Sequence, residues 1–132
     1  MSRAPHPFFS GPIAWHTQFR EAGDEAREKD RMIMVAICRL KCAASRALVE
    51  KVLRKDELAE VIDRDFVPLA CDADHLEPEV AELLARLTVK EPTPVCIYLT
   101  RDGRVVQSTA GGRHPAVLLN DLIQACAKRT TV

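Results

Sequence analysis

The stretch that constrains the fold most strongly is residues 32–46, where a short apolar segment leads directly into the start of a helix. The segment Met32–Cys38 contains only apolar residues and is too short to span a membrane, so it predicts a buried β-strand. From Ala43 onward, apolar residues recur at helical spacing, which predicts a helix over 43–61. Cys42 therefore stands where a central strand gives way to a helix. At such a position free N–H groups and the helix dipole favour a thiolate.

The remaining elements are predicted from apolar periodicity and turn residues. They are a helix from Trp15 to about Asp30, strands over 65–72, 95–100 and 104–108, a helix that begins at Pro78, and a closing helix over about 115–128. Strands that are joined through a helix run parallel, whereas the Asp102-Gly103 turn predicts a hairpin. The sheet should therefore be mixed.

Two local features sharpen this prediction. Pro68 lies within the second strand, which places that strand at an edge of the sheet or makes the proline its first residue. The closing helix is expected to bury one apolar side, which consists of Val117, Leu118, Leu122, Ile123 and Cys126.

Composition excludes several classes of partner. The 19 basic and 19 acidic side chains cancel, so nothing favours a nucleic acid or an anionic membrane. The apolar segments have the length of strands, which excludes a membrane span. Five cysteines, an odd number scattered through apolar segments, do not resemble a secreted disulfide framework, and no signal peptide is visible. These features favour the cytoplasm and leave the oligomeric state open between a monomer and a weak dimer.

The chain has the length of one domain with its own core. Pro5, Pro7 and Pro12 predict that residues 1–12 form a flexible N-terminal arm, which leaves 13–132 as a single domain. No internal repeat or long linker divides that domain.

Three further motifs follow one another along the chain. An Ala-rich helix follows Trp15, the second strand contains Phe66-Val67-Pro68-Leu69, and Thr93-Pro94 precedes the strand that ends at Asp102-Gly103. With the cysteine at the first strand-to-helix junction, this order resembles the thioredoxin-like superfamily over residues 13–125. The resemblance implies a three-layer α/β sandwich, in which a mixed four-stranded sheet carries helices on both faces. A fifth short N-terminal strand is the alternative.

The junction departs from the pattern of that superfamily at three positions. Its members typically carry Cys-x-x-Cys there, whereas this chain has Cys42-Ala43-Ala44-Ser45. Ala36 stands where thioredoxins bury an acidic residue, and Lys41 stands where they often have an aromatic one. A dithiol enzyme attacks a disulfide with one thiol and releases the mixed disulfide with the second. Ser45 can take no part in that release.

The residues of the junction allow two functions. In the first, Cys42 performs monothiol thiol–disulfide exchange or a glutathione-linked redox reaction, and an external thiol resolves the adduct. Ser45 would donate a hydrogen bond to the thiolate, while Arg39, Lys41 and Arg46 would give it electrostatic support. In the second, the same face is a non-catalytic module for protein–protein interaction.

Partners and cofactors follow from these functions. The expected partners are protein or glutathione thiols and disulfides, with glutathione as a co-substrate and no bound cofactor. The resemblance implies that the Thr93–Pro94 bond is cis and that Thr93 offers its backbone to a bound peptide. Cys38 would resolve the adduct only if the intervening loop were distorted. His75 beside Asp72 lacks the spacing of a zinc site, so no metal is expected.

Overall fold

The computed structural model describes residue 9, residues 11–88 and residues 91–129 of the chain. Helices and strands follow one another in the predicted order, except that two helices, not one, separate the first two strands. Their bounds are α1 (Phe19–Lys29), β1 (Met32–Cys38), α2 (Ala43–Ala47), α3 (Asp56–Asp65), β2 (Phe66–Asp72), α4 (Pro78–Ala85), β3 (Val95–Leu99), β4 (Val105–Ala110) and α5 (Pro115–Lys128).

The four strands form one mixed sheet in the order β2-β1-β3-β4. β1 runs parallel to β2 and antiparallel to β3, and β3 and β4 are joined as a hairpin. Helices cover both faces, so the predicted thioredoxin-like α/β sandwich is confirmed. Beyond β2, the N-terminal segment contributes a one-residue bridge between His16 and Leu69 in place of a fifth strand.

The segment before α1 is extended because it pairs with the outer edge of β2. The His16 N–H donates to the Pro68 carbonyl at 2.9 Å, and the Ala70 N–H donates to the His16 carbonyl at 2.8 Å. The prediction that the first helix begins at Trp15 is therefore wrong, and α1 begins at Phe19. The edge position predicted for Pro68 is confirmed. In a strand, the N–H and the carbonyl of one residue point to the same side, which at position 68 is the outer side, away from β1. The N–H that proline lacks is therefore not one that would pair with β1.

β1 is the centre of the core, and all seven of its residues are buried. Its side chains alternate between two apolar clusters, one covered by residues 48–53, α3 and α5 and the other by α1 and α4. Most of the predicted N-terminal arm lies outside the described residues, but Phe9 at its end is buried, with its ring 4.8 Å from that of Trp15. None of the described helices has the length and apolarity that a bilayer crossing requires.

The long helix predicted to follow β1 is interrupted, so that prediction is wrong in its middle. α2 continues into a π-helical segment, Leu48–Val52, and the chain becomes extended before α3 begins. In an unbroken helix, the acidic side chains of Asp56 and Glu57 would fall on the face that covers the sheet. The interruption rotates α3, so that Leu58 and Ile62 are buried there instead.

α5 buries a narrower side than predicted. Leu118 and Leu122 are fully buried, whereas Val117 is 43% exposed and Ile123 is 57% exposed. The prediction that these last two belong to the core is wrong. Each lies one residue outside the buried stripe, and one residue turns an α-helix by about 100°. The stripe also contains a carboxylate, that of Asp121.

Candidate functional site

Cys42 is the N-cap residue of α2 and lies directly after a tight turn that leaves β1. Its backbone is extended, with φ −86° and ψ 120°. Its N–H donates to the Arg39 carbonyl at 2.9 Å, and its carbonyl accepts from the Arg46 N–H at 3.0 Å. The thiol is partly exposed, so it can meet a substrate from solvent.

Hydrogen bonds lower the pKa of Cys42 from its ordinary value of 9.0 to about 7. The largest contribution comes from the side chain of Thr93, followed by the side chain and backbone of Ser45 and then by the backbone of Ala44, while partial burial opposes them. The protonated thiol can also donate to the Thr93 carbonyl, which lies 3.5 Å from the sulfur. At neutral pH about half of the molecules therefore carry a Cys42 thiolate.

Ser45 is fully buried and links the cysteine to the end of β1. Its Oγ accepts a hydrogen bond from the Arg39 N–H at 3.1 Å. Hydrogen bonding by the same hydroxyl lowers the pKa of both Cys42 and Cys38. A hydroxyl has one proton to donate, so it can serve only one of these thiols at a time.

The Thr93–Pro94 loop faces Cys42 from the other side of the site. Thr93 and Pro94 are buried, and the bond between them is cis, as is the bond between Glu91 and Pro92. The structure thus brings Cys42, Ser45 and Thr93 together at one place, although Thr93 is 51 residues away from the cysteine in sequence.

The predicted basic residues lie around the cysteine but are not its main partners. The Arg39 Nε donates to Asp74 Oδ1 at 3.1 Å, and the side chains of Lys41 and Arg46 are exposed. The contributions that lower the pKa of Cys42 most are hydrogen bonds, not the charges of these side chains. Asp74 also closes its own loop, because its N–H donates to Asp72 Oδ1 at 2.9 Å. Across the described residues, no group of three or more His, Cys, Asp or Glu side chains could hold a metal ion.

The other four cysteines are free and have raised pKa values. Burial is the main cause in each, and it raises the pKa of Cys71 and of Cys96 to about 12. Burial raises the pKa of Cys38 further still, and that of Cys126 is raised as well. These properties disfavour Cys38 as a resolving thiol, because a buried, protonated thiol is a poor nucleophile.

A glycine loop at residues 111–112 completes this face. Gly111, with φ +91°, donates its N–H to the Pro94 carbonyl at 2.9 Å. A Cβ at Gly112 would lie 3.8 Å from the Cβ of Ala44, which is the second residue of the helix that Cys42 caps. The only signal in the sequence was the Gly-Gly pair, which does not reveal what the loop packs against.

Comparison with known proteins relates this site to a family. Residues 6–118 match the family model Thioredox_DsbH, described as a protein of unknown function, DUF255. The chain belongs to this family. Among curated proteins, none is similar enough in sequence to match it.

Several solved structures share the fold over most of the chain. A thioredoxin from Thermus thermophilus is 26% identical, with a TM-score of 0.72 over 86% of this chain and 88% of that one. A structure titled DsbH oxidoreductase is 15% identical, with a TM-score of 0.65 over 94% of this chain and 91% of that one. A disulphide isomerase from Xylella fastidiosa Temecula1 is 16% identical, with a TM-score of 0.67 over 81% and 87%. These likenesses establish the thioredoxin-like fold.

Proposed function

We propose that this protein is a monothiol thiol–disulfide oxidoreductase whose attacking group is Cys42. The observation that carries the proposal is the environment of this sulfur, where hydrogen bonds from Thr93 and Ser45 lower the pKa to about 7. Membership of the family supports thiol–disulfide chemistry at a coarse level, as does the fold shared with a thioredoxin and a disulphide isomerase. A partly exposed thiolate on this fold is suited to attack a disulfide.

The reaction takes two exchanges. First, the Cys42 thiolate attacks one sulfur of a disulfide R–S–S–R′, forming Cys42–S–S–R and releasing R′–S⁻, which takes a proton from water. Second, a glutathione thiolate attacks the adduct and restores the Cys42 thiolate. When R is glutathionyl, the products are a free protein thiol and oxidised glutathione. The second thiol comes from outside, because Ser45 has no sulfur and Cys38 is buried.

The residues around the sulfur have separate tasks in this scheme. Thr93 and Ser45 stabilise Cys42 as nucleophile in the first exchange and as leaving group in the second. Thr93 and Pro94 hold the substrate beside the sulfur, and the exposed Lys41 and Arg46 add positive potential that favours the thiolate and an anionic co-substrate. The second exchange needs a supply of reduced thiol, so we assign the protein to a reducing compartment such as the cytoplasm.

A second candidate function is binding of a partner protein without turnover. The observation that favours it is Leu40, an apolar side chain that is 46% exposed in the turn before Cys42. An exposed apolar side chain close to the cysteine can be buried against a bound partner protein. In this function Cys42 would be retained without a catalytic role.

Two measurements separate these functions. We expect iodoacetamide labelling of Cys42, followed by mass spectrometry over a pH series, to have its midpoint near pH 7. We also expect release of glutathione from a glutathionylated peptide to require added glutathione and to disappear in Cys42→Ser. Cys126→Ser is the matched control, because Cys126 is a half-buried thiol with a raised pKa. A midpoint at the ordinary value of 9.0, with no turnover, would refute the enzyme and favour the binding module.

A further inference from the structure

Arg113 and Asp121 form an ion pair behind the glycine loop. The Arg113 Nε donates to Asp121 Oδ2 and the Nη2 donates to Oδ1, both at 2.9 Å, which is the two-pronged geometry of a strong guanidinium–carboxylate pair. Asp121 is only 5% exposed. Removing one partner would leave the other charge largely buried and unpaired, which disfavours separation of the pair.

The Asp121 carboxylate is held in place by the packing of α5 against the core. Asp121 lies on the buried stripe of α5, next to the fully buried Leu122 and one turn from Leu118. Its carbonyl also accepts a hydrogen bond from Gln107 Nε2 at 3.2 Å, which ties the same turn of the helix to β4. The position of the Arg113 guanidinium is therefore set by packed elements and not by its own loop.

In the loop of residues 111–113, the first two residues have no side chain that could hold them in place. Gly111 and Gly112 precede the arginine, and glycines lose more conformational freedom on ordering than other residues. On one side, the Gly111 N–H is bonded to the Pro94 carbonyl. On the other side, the Arg113 guanidinium connects the loop to the core just before α5 begins at Pro115. The two anchors together hold Gly112 against Ala44, beside the cysteine.

We propose that the Arg113–Asp121 pair positions residues 111–112 as one wall of the Cys42 face, so that both are positioning residues for substrate binding. The inference rests on the proposed function above. Without the pair, the loop samples many conformations, and a disulfide substrate must order it on binding. The Cys42 sulfur keeps its hydrogen bonds from Thr93 and Ser45, so the chemical step is unchanged. The pair therefore acts on KM and not on kcat.

Asp121→Asn tests this, because asparagine keeps the shape of aspartate but loses the charge and one acceptor. We expect the KM for a glutathionylated peptide to rise about tenfold, with kcat changed less than about twofold. Arg113→Lys keeps the charge without the planar fork and should give an intermediate KM. Asp65→Asn is the matched control, because Asp65 receives three hydrogen bonds from Arg64 at a more exposed position on α3, and it should leave KM unchanged.

Hydrogen exchange of the Gly111 amide tests the positioning without any turnover. In Asp121→Asn this amide should exchange about tenfold faster or more, while the amides of β1 and the pH midpoint of Cys42 labelling stay at wild-type values. Exchange of Gly111 at the wild-type rate, or an unchanged KM, would overturn the inference. So would equal acceleration throughout β1, which would mean general destabilisation. A wild-type protein that shows no turnover contradicts the proposed function alone, since the exchange result still decides whether the pair positions the loop.

Discussion

Replacing Thr93 by valine should raise the pKa of Cys42 and leave the fold intact. Valine has nearly the shape of threonine, so at this buried position the substitution removes a hydroxyl and creates no cavity. That hydroxyl belongs to the side chain that lowers the pKa of Cys42 most. A hydrogen bond to the thiolate stabilises the charged form. Its loss therefore favours the thiol and moves the pKa of Cys42 towards its ordinary value of 9.0.

The size of this effect follows from the contributions at the sulfur. Hydrogen bonds from the Thr93 side chain, the Ser45 side chain and the backbone of Ser45 and Ala44 together lower the pKa from 9.0 to about 7 against the opposing effect of burial. Of these contributions, that of the Thr93 side chain is the largest, and a hydrogen bond is worth about 0.5–1.5 kcal/mol net. Losing it therefore lowers the acid dissociation constant about twofold to tenfold. The thiolate fraction at pH 7 falls from about one half to about one third or less.

The assay is the ultraviolet absorbance of the thiolate over a pH series, with the Cys42→Ser variant subtracted. The midpoint is decisive, because a thiolate of higher pKa is intrinsically more nucleophilic and can mask the loss in a labelling rate at one pH. Thr100→Val is the matched control: Thr100 is also 8% exposed, but it lies just past the opposite end of β3, where its Oγ1 accepts from the Arg104 N–H at 3.1 Å. A midpoint in Thr93→Val that equals or falls below the wild-type value would refute Thr93 as the main donor.

Unfolding and turnover experiments test other features of the site and the core. The free energy of unfolding of the wild type, minus that of Cys42→Ser, should grow as the pH rises from 7 to 9, because the folded-state pKa of about 7 lies below the ordinary value of 9.0. Urea unfolding at several pH values measures this difference, and a flat difference would contradict the lowered pKa. Ser45→Cys should gain insulin reduction without glutathione, because it restores a second thiol one turn after the first; no gain would mean that the junction lacks the geometry for internal release. Leu122→Ala should cost about 2–5 kcal/mol, whereas Ile123→Lys, at a position that is 57% exposed, should change the melting temperature little. Equal losses in thermal melts of the two variants would place Ile123 in the core.

The sequence predicts this fold where one residue pattern determines one structure. The apolar segment Met32–Cys38 has the length of a buried strand, and the placement of Cys42 after it follows from the helical spacing that comes next. The sequence does not predict the break between α2 and α3, because the apolar residues remain nearly periodic across it. Only the charges of Asp56 and Glu57 argue against one continuous helix. Val117 and Ile123 were assigned to the core because the width of a buried stripe depends on what packs against the helix, which periodicity does not report.

The sequence named Cys42, Ser45 and Thr93, which the structure brings together, but not the interactions between them. Thr93 was expected to offer its backbone to a substrate, whereas the structure also gives its side chain the largest part in lowering the pKa of Cys42. The contact of the Cys42 sulfur with the Thr93 carbonyl joins residues 51 positions apart, and nothing in either local sequence reports that these residues meet. The Arg113–Asp121 pair cannot be predicted from the sequence for the same reason. The partner of a charged residue on an apolar helix face depends on how the loop and the helix pack together.

The departures from the thioredoxin pattern are consistent with one another when the chemistry is followed step by step. A dithiol enzyme must deprotonate a second thiol inside the protein, and the buried acid that thioredoxins carry where this chain has Ala36 serves such a proton transfer. With Ser45 in the second position, no buried thiol has to be deprotonated, and a buried carboxylate beside Cys38 would carry only its desolvation cost. What the proposed reaction still requires is a thiolate on Cys42 that both attacks and leaves. Ser45 and Thr93 meet that need with hydrogen bonds that lower the pKa of Cys42, so under the proposed external resolution Ser45 and Ala36 are consistent with each other.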